Sequence, residues 1–208
     1  MMRMSEAEIR TIAFEGLDGC GKGTAIKELS NLIDCECWES PEETKNARRR
    51  RILEEGGETD GLYEFMISSY LDEWCDIESA CSEMPPGRVM LLDRCWVSPA
   101  SVRSSRTGER PVWPAEFKPD VVFSIRVEEG LRRERILARE GAMGNLNSRE
   151  QQLIDDDEFR DGVQRAELEM GCVPLRIRER SPAVVAMRAL QSLLGMEGFA
   201  YSPTTSNC

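Results

Sequence analysis

The residues best placed to do chemistry lie near the start of the chain. Gly16-Leu17-Asp18-Gly19-Cys20-Gly21-Lys22-Gly23-Thr24 follows a short apolar run, Thr11 to Glu15, and precedes a segment with Ile26, Leu29 and Ile33 on one helical face. A glycine-rich turn between a strand and a helix is a setting that gathers backbone N–H groups and a helix N-terminus around phosphate. The glycines let successive amides turn inward, those of Gly16, Gly19, Cys20 and Gly21 among them, and Lys22 is spaced to reach the β- and γ-phosphates of a nucleotide. Gly23 stands where a serine or threonine normally helps to hold magnesium, and Thr24, one residue on, is the available hydroxyl. The alternative reading is a plain strand-to-helix turn with a surface lysine. Cys20 sits where a helix N-terminus and Lys22 would lower its pKa, although packing is the simpler reason for it.

Composition narrows the chemistry further. The chain of 208 residues contains no histidine, which removes Ser-His and Cys-His catalysis and every histidine metal site. Its formal net charge of -11, from 38 acidic and 27 basic residues, argues against holding long nucleic acid but leaves small anions open to local arginines. The 8 cysteines are scattered without a CxxC pair, and Met1 to Arg10 has no apolar leader. A cytoplasmic protein with reduced thiols and no membrane span is expected.

The elements that must position this loop alternate along the chain. Apolar runs at Thr11–Glu15, Cys35–Trp38, Val89–Leu92, Val121–Ile125 and Val173–Ile177 read as strands. Helical spacing recurs around Arg48 to Glu55, from Leu62 to Cys81, from Glu128 to Arg139, from Asp155 to Gly171, and at Ala183, Met187, Leu190 and Leu194. Continuous apolar strands alternating with helices predict an α/β fold with a parallel sheet of five strands flanked by helices, and one domain over residues 1–208. The polar stretch 140–152 is expected to be a lid, and the tail 198–208 to fray.

Phe14-Glu15-Gly16-Leu17-Asp18-Gly19 with Gly21-Lys22 resembles the opening of thymidylate kinases, and Gly-Lys-Gly-Thr is similar to the loop of adenylate and uridylate-cytidylate kinases, where that glycine is normal. Further segments keep the order of the thymidylate kinases. Arg51 lies in a charged helix after Pro41; Asp93-Arg94 closes an apolar strand, with Ser98 at the family's spacing. Pro119-Asp120 opens the next strand, and Gly130 to Arg139 leads into the lid. The resemblance implies a P-loop nucleoside monophosphate kinase using ATP and magnesium in nucleotide biosynthesis. It gives Asp18 a place at the acceptor's sugar or phosphate, Arg51 and Arg94 catalytic roles with Arg94 clamping the acceptor phosphate, and Asp93, with Thr24, the magnesium. Arg139 follows Ala138 in a stretch resembling the Arg-Ala-Arg-Gly of lid-type enzymes. Since the loop has no arginine between Gly16 and Lys22, Arg139 or Arg149 is expected to bring that charge from the lid. Phe65 and Trp96 are candidates for stacking on the acceptor base. The family's usual assembly is a homodimer, for which the helix from Leu62 to Cys81 offers either an interface or simply core.

Three departures bear on the acceptor. Glu39-Ser40-Pro41 replaces Arg-Glu-Pro, Ser68-Ser69 stand where Asp-Arg would sit, and Ser101-Val102-Arg103 replaces the triplet after the serine. A pyrimidine (deoxy)nucleoside monophosphate is the expected acceptor. The alternatives are a nucleoside or other small hydroxyl compound, or a catalytically weak ATP-binding protein used in regulation.

Overall fold

The computed structural model describes residues 8–55, 59–110, 117–141, 155–178, 181–197 and 199. The segment 142–152 of the expected lid, with Arg149, and nearly all of the expected tail fall outside them. The described elements run β1 (Thr11–Glu15), α1 (Lys22–Ser30), β2 (Cys35–Trp38), α2 (Glu42–Glu55), α3 (Asp60–Glu83), β3 (Val89–Asp93), α4 (Val97–Thr107), β4 (Val121–Val127), α5 (Glu129–Gly141), α6 (Asp157–Glu169), β5 (Val173–Ile177) and α7 (Pro182–Leu194). The five strands form one parallel sheet in the order β2-β3-β1-β4-β5.

Every residue of β1 is buried, because helices cover both faces of the sheet at its centre. Side chains alternate along the strand: Ile12 and Phe14 join α1 and α7 on one face, while Ala13 joins Trp74, Ile77, Trp96 and Ala166 on the other. At the far end of the strands from the phosphate loop, Asp120 accepts from the amides of Arg10 and Thr11 and from Thr11 Oγ1, each at 2.8 Å. Pro119-Asp120 therefore sets the register of β4 against β1. Among the described residues no helix is long and apolar enough to cross a membrane, and the described cysteines are all free.

Three local readings change. Helix α2 starts at Glu42, directly after Pro41, rather than near Arg48 where the helical spacing is read. Helix α4 has no clear apolar period in the sequence; Pro99 is tolerated in its first turn, and burial of Val97, Ala100 and Val102 carries it. In α7 the buried face runs through Val185, Ala186, Ala189, Leu190 and Leu193, leaving Met187 and Leu194 exposed. The sequence period marks Ala183, Met187, Leu190 and Leu194, whereas Ala186 and Ala189 are the alanines that join the core shared with α1.

Two carboxylates are buried in this frame. Glu15 ends β1, and Glu167 of α6 accepts from Ser124 Oγ at 2.6 Å. Burial pushes the Glu167 carboxyl up to about 7, with Glu15 adding repulsion and the Ser124 bond, Arg126 and Lys22 opposing. The folded state thus holds this proton more tightly than the unfolded chain, whose ordinary value is 4.5. Stability contributed by the proton is present at low pH and is lost as pH rises through about 7. The loss is on the order of 3 kcal/mol. Glu167→Gln should therefore gain stability over wild type at pH 8 and show little gain at pH 5. Urea unfolding at both values checks this, and an equal difference at the two would contradict it.

Candidate active site

The loop after β1 and the end of β3 meet where neighbouring strands send their next helices to opposite faces, a crevice where open α/β sheets bind ligands. Gly16 leaves the sheet at φ 130, and a Cβ there would come within 2.5 Å of the Ile125 carbonyl oxygen. Gly19, at φ 83, passes so close to α5 that a Cβ would meet Ile136 at 2.8 Å and the Arg132 carbonyl at 2.9 Å. These two positions admit no side chain, which fixes the loop between β4 and α5. Gly21 caps α1, and Gly23 and Thr24 are exposed in its first turn.

Lys22 is buried, and its Nζ donates to Gly16 O at 2.8 Å and Leu17 O at 3.4 Å. The ammonium is thus held against the carbonyls of the loop whose amides would face phosphate. Cys20 lies beneath the loop, 1% exposed, and burial pushes its thiol up despite Lys22 nearby. Its role is packing.

Asp93 ends β3 beside Phe14 of β1, with its carboxylate in the open. Asp93 Oδ2 would stand 3.7 Å from a Cβ on Gly23, so it faces the start of α1. Arg94 follows in a left-handed conformation, φ 77, which costs an arginine about 1 kcal/mol or more. Its amide donates to Phe14 O at 3.1 Å, Nη1 donates to Ser98 Oγ at 2.6 Å, and Nη2 pairs with Asp18 of the phosphate loop. Ser98 Oγ in turn donates to Glu15 Oε2 at 2.8 Å, and the Cys95 amide donates to Glu15 Oε1 at 2.7 Å. Burial pulls the Arg94 guanidinium down, but the Asp18 and Glu15 carboxylates outweigh it and hold it firmly cationic. Burial likewise lifts Glu15 against Arg94 and its two hydrogen bonds. Asp18, Arg94 and Ser98 are brought together around a buried acid that the motif reading did not single out.

Beside this cluster, a cavity of about 660 Å³ opens among the ends of β2 and β3, α2 and α3. Its wall carries Trp38, Tyr63, Met66, Tyr70 and Trp74, with Asp93, Arg94 and Ser98 at the side of the phosphate loop. The fold of the chain is similar to that of solved nucleotide kinases. A deoxyadenosine kinase from M. mycoides with bound dCTP is 14% identical, covers 89% of this chain and 100% of that one, and gives a TM-score of 0.57. A thymidylate kinase from Candida albicans is 12% identical, covers 91% of this chain and 93% of that one, and gives 0.59. The chain has the P-loop kinase fold. No protein-family model and no curated protein matches the sequence. The thymidylate-kinase-like kinship read from the phosphate loop is therefore a kinship of fold.

Within this P-loop kinase fold the arginine run of α2 is arranged differently from the reading of the sequence. Arg48, not Arg51, enters the cavity wall: it is 7% exposed, lies 3.7 Å over the Tyr70 ring, pairs with Glu73 at 3.1 Å and donates through Nε to Ser69 Oγ at 2.8 Å. The signal was present in Lys45, Arg48, Arg49 and Ile52, which recur at helical spacing and line the same cavity. Arg51 instead lies 5.8 Å over the Phe65 ring. Phe65 borders a separate cleft of about 420 Å³ between α2 and α3, so neither residue lines the larger cavity. Trp96 is 2% exposed and donates its indole N–H to Phe117 O, and it also borders the large cavity. Helix α3 contributes Trp74, Ile77 and Cys81 to the core of the same chain.

Helix α5 also holds the loop. Arg132, buried, donates to Asp18 O at 3.0 Å while pairing with Glu129, and Arg135 Nη1 reaches Gly19 O at 3.4 Å and Cys20 O at 3.3 Å. Neither was singled out, because an arginine that binds backbone carbonyls leaves no motif. Arg139 lies near the C-terminal end of α5.

Proposed function

We propose that the chain is an ATP-dependent kinase that transfers the γ-phosphoryl group to a (deoxy)nucleoside monophosphate held in the 660 Å³ cavity. The observation that supports it most is the Asp18–Arg94 pair, which joins the phosphate loop to the cavity wall. Phosphoryl transfer needs alignment and neutralisation of charge more than covalent help, so arginines and one lysine suffice without histidine. In this reading the loop amides from Gly16 to Gly23 and Lys22 hold the donor phosphates, and Arg94 grips the acceptor phosphate with its planar fork. Tyr63, Tyr70 and Trp74 offer faces for the base. Magnesium fits the residues present: the exposed Asp93 faces the start of α1 near Thr24, and this ion needs only one or two carboxylates beside waters and substrate phosphates. It would supply charge neutralisation of the phosphates. The protein in this reading acts on small nucleotides in the cytoplasm.

A second reading, transfer to a hydroxyl of a nucleoside or another small compound, is favoured by the pairing of the cavity's guanidiniums. Arg48 already carries Glu73, and Arg94 carries Asp18, while Glu39 and Asp93 add further carboxylates to the wall. An acceptor phosphate must displace a carboxylate, whereas a hydroxyl need not, and a carboxylate can take its proton. Measuring ADP release with ATP–magnesium across the common nucleosides and their monophosphates separates the readings. Monophosphates should be the better substrates, with thymidine monophosphate not strongly preferred, since Ser69 is engaged by Arg48 rather than offering an arginine to the base. Turnover of nucleosides alone would select the second reading, and ATP binding with no acceptor would select a regulatory role.

The lid reading carries its own expectation. Arg139→Ala or Arg149→Ala should lower kcat by at least about 10-fold, about 1.4 kcal/mol, with little change in stability. Arg139, which directly continues α5 from the arginines on the phosphate loop, is expected to give the larger loss. Steady-state kinetics on both variants check this, and unchanged kcat in each would leave no catalytic role for the segment.

A further inference from the structure

We propose that Glu15, the buried acid at the end of β1, is a positioning residue that acts through the Ser98 hydroxyl to fix the guanidinium of Arg94 at the edge of the large cavity. The hold on Arg94 is independent of the reaction, and its consequence for phosphoryl transfer rests on the kinase reading above. A guanidinium only donates, so Ser98 Oγ accepts from Arg94 Nη1 at 2.6 Å and keeps its own hydrogen. That hydrogen goes to Glu15 Oε2 at 2.8 Å, while Glu15 Oε1 accepts from the Cys95 amide at 2.7 Å. Both oxygens of the acid meet donors, as an acceptor-only carboxylate requires. Burial lifts this carboxyl, and Arg94, the Cys95 amide, Ser98 and Lys22 oppose it. Glu15 and Ser98 are both buried, so the relay is held from solvent.

Arg94 needs such a hold. Its backbone is left-handed, at φ 77, and strain of this kind persists only where the surroundings over-determine it. The two bonds to Glu15 come from the residue directly after Arg94 and from the first turn of α4, so they bracket the turn in which it sits. Ser98 holds Nη1 and Asp18 holds Nη2, which leaves the other N–H groups of the guanidinium for a ligand of the cavity that Arg94 lines. Asp18 belongs to the phosphate loop, whereas Ser98 is in a helix and Glu15 in the central strand, and a side chain braced from such elements is placed more precisely than one braced from a loop. Glutamine at position 15 would match the acid in size but offers one acceptor and one donor. Either the Cys95 amide loses its acceptor, or Ser98 loses the charged acceptor that polarises it toward Arg94.

The test follows the Arg94 side chain by NMR on the intact protein with labelled arginine, its signals assigned by their loss in Arg94→Lys. Wild type should show slow rotation of the guanidinium about its Nε–Cζ bond. Glu15→Gln and Ser98→Ala should each speed it at least about fivefold, the scale of one hydrogen bond to a charged group. Ser98→Thr, which keeps the hydroxyl, should stay close to wild type. In turnover, Glu15→Gln and Ser98→Ala should lower kcat/KM for the acceptor at least about tenfold while KM for ATP stays within about twofold. Added to Arg94→Lys, Glu15→Gln should cost little more, because residues that act as a unit are not additive. Rotation as slow in both variants as in wild type, equal losses for ATP and acceptor, or the full further loss on the Arg94→Lys background would each overturn the proposal. Thermal unfolding of each sample reports folding, and if Glu15→Gln does not fold, Ser98→Ala decides. Wild type without turnover would defeat the kinase reading alone, while the Arg94 rotation still decides the hold from Glu15.

Discussion

Lys22→Ala is expected to lower turnover by at least about 100-fold, the scale of losing a charge aimed at the transferring group in a water-poor site. In the structure the ammonium donates to Gly16 O and Leu17 O, so it stands in the phosphate loop on a side chain held from solvent. Truncation removes two hydrogen bonds to carbonyls, a stability cost of about 1–2 kcal/mol, too little to unfold a domain of this size. Turnover and thermal unfolding measured on one purified sample separate the two effects. A folded variant with near-wild-type turnover would contradict the assignment of the loop to phosphate.

Loss of the Arg94 side chain has the second largest expected effect. As the anchor of the acceptor phosphate it should be worth ~2–4 kcal/mol in kcat/KM for the acceptor, with donor affinity barely changed. The left-handed backbone complicates Arg94→Ala, because alanine inherits the strain at φ 77 without the bonds that offset it. Arg94→Gly relieves that strain and still removes the guanidinium, so it distinguishes a catalytic loss from a folding loss. Arg94→Lys keeps the charge without the fork and should recover only part of the activity. The result against this account is an equal loss of donor and acceptor affinity. It would mean that Arg94 acts through its pair with Asp18, as a brace for the phosphate loop.

What the sequence revealed was what is local. The phosphate loop could be read because a short stretch holds the strand end, the glycines and the helix start, and the central strands because β1, β3 and β4 are near-continuous apolar runs. Arg48 does not stand out in the sequence because its partners, Ser69 and Glu73, belong to another helix, and a row of four arginines does not show which one turns inward. Phe65 and Tyr70 are equally aromatic on α3, yet only the second faces the cavity. In the sequence Glu15 is one residue of a motif, whereas its acid is buried under Ser98 and the Cys95 amide, contacts more than 75 residues away in the chain. In α7 the period of large residues does not mark the buried face, because Ala186 and Ala189 pack closely while Met187 and Leu194 remain exposed. Pairwise contacts between distant elements set these features, and no local period encodes them.

The most direct measurement follows the phosphate itself. ATP labelled in its γ-phosphoryl group is incubated with magnesium, the protein and a mixture of nucleoside monophosphates, and the labelled products are separated. The account predicts label in nucleoside diphosphate, dependent on Lys22 and Arg94. Label appearing only as inorganic phosphate, or remaining wholly on ATP, would contradict it.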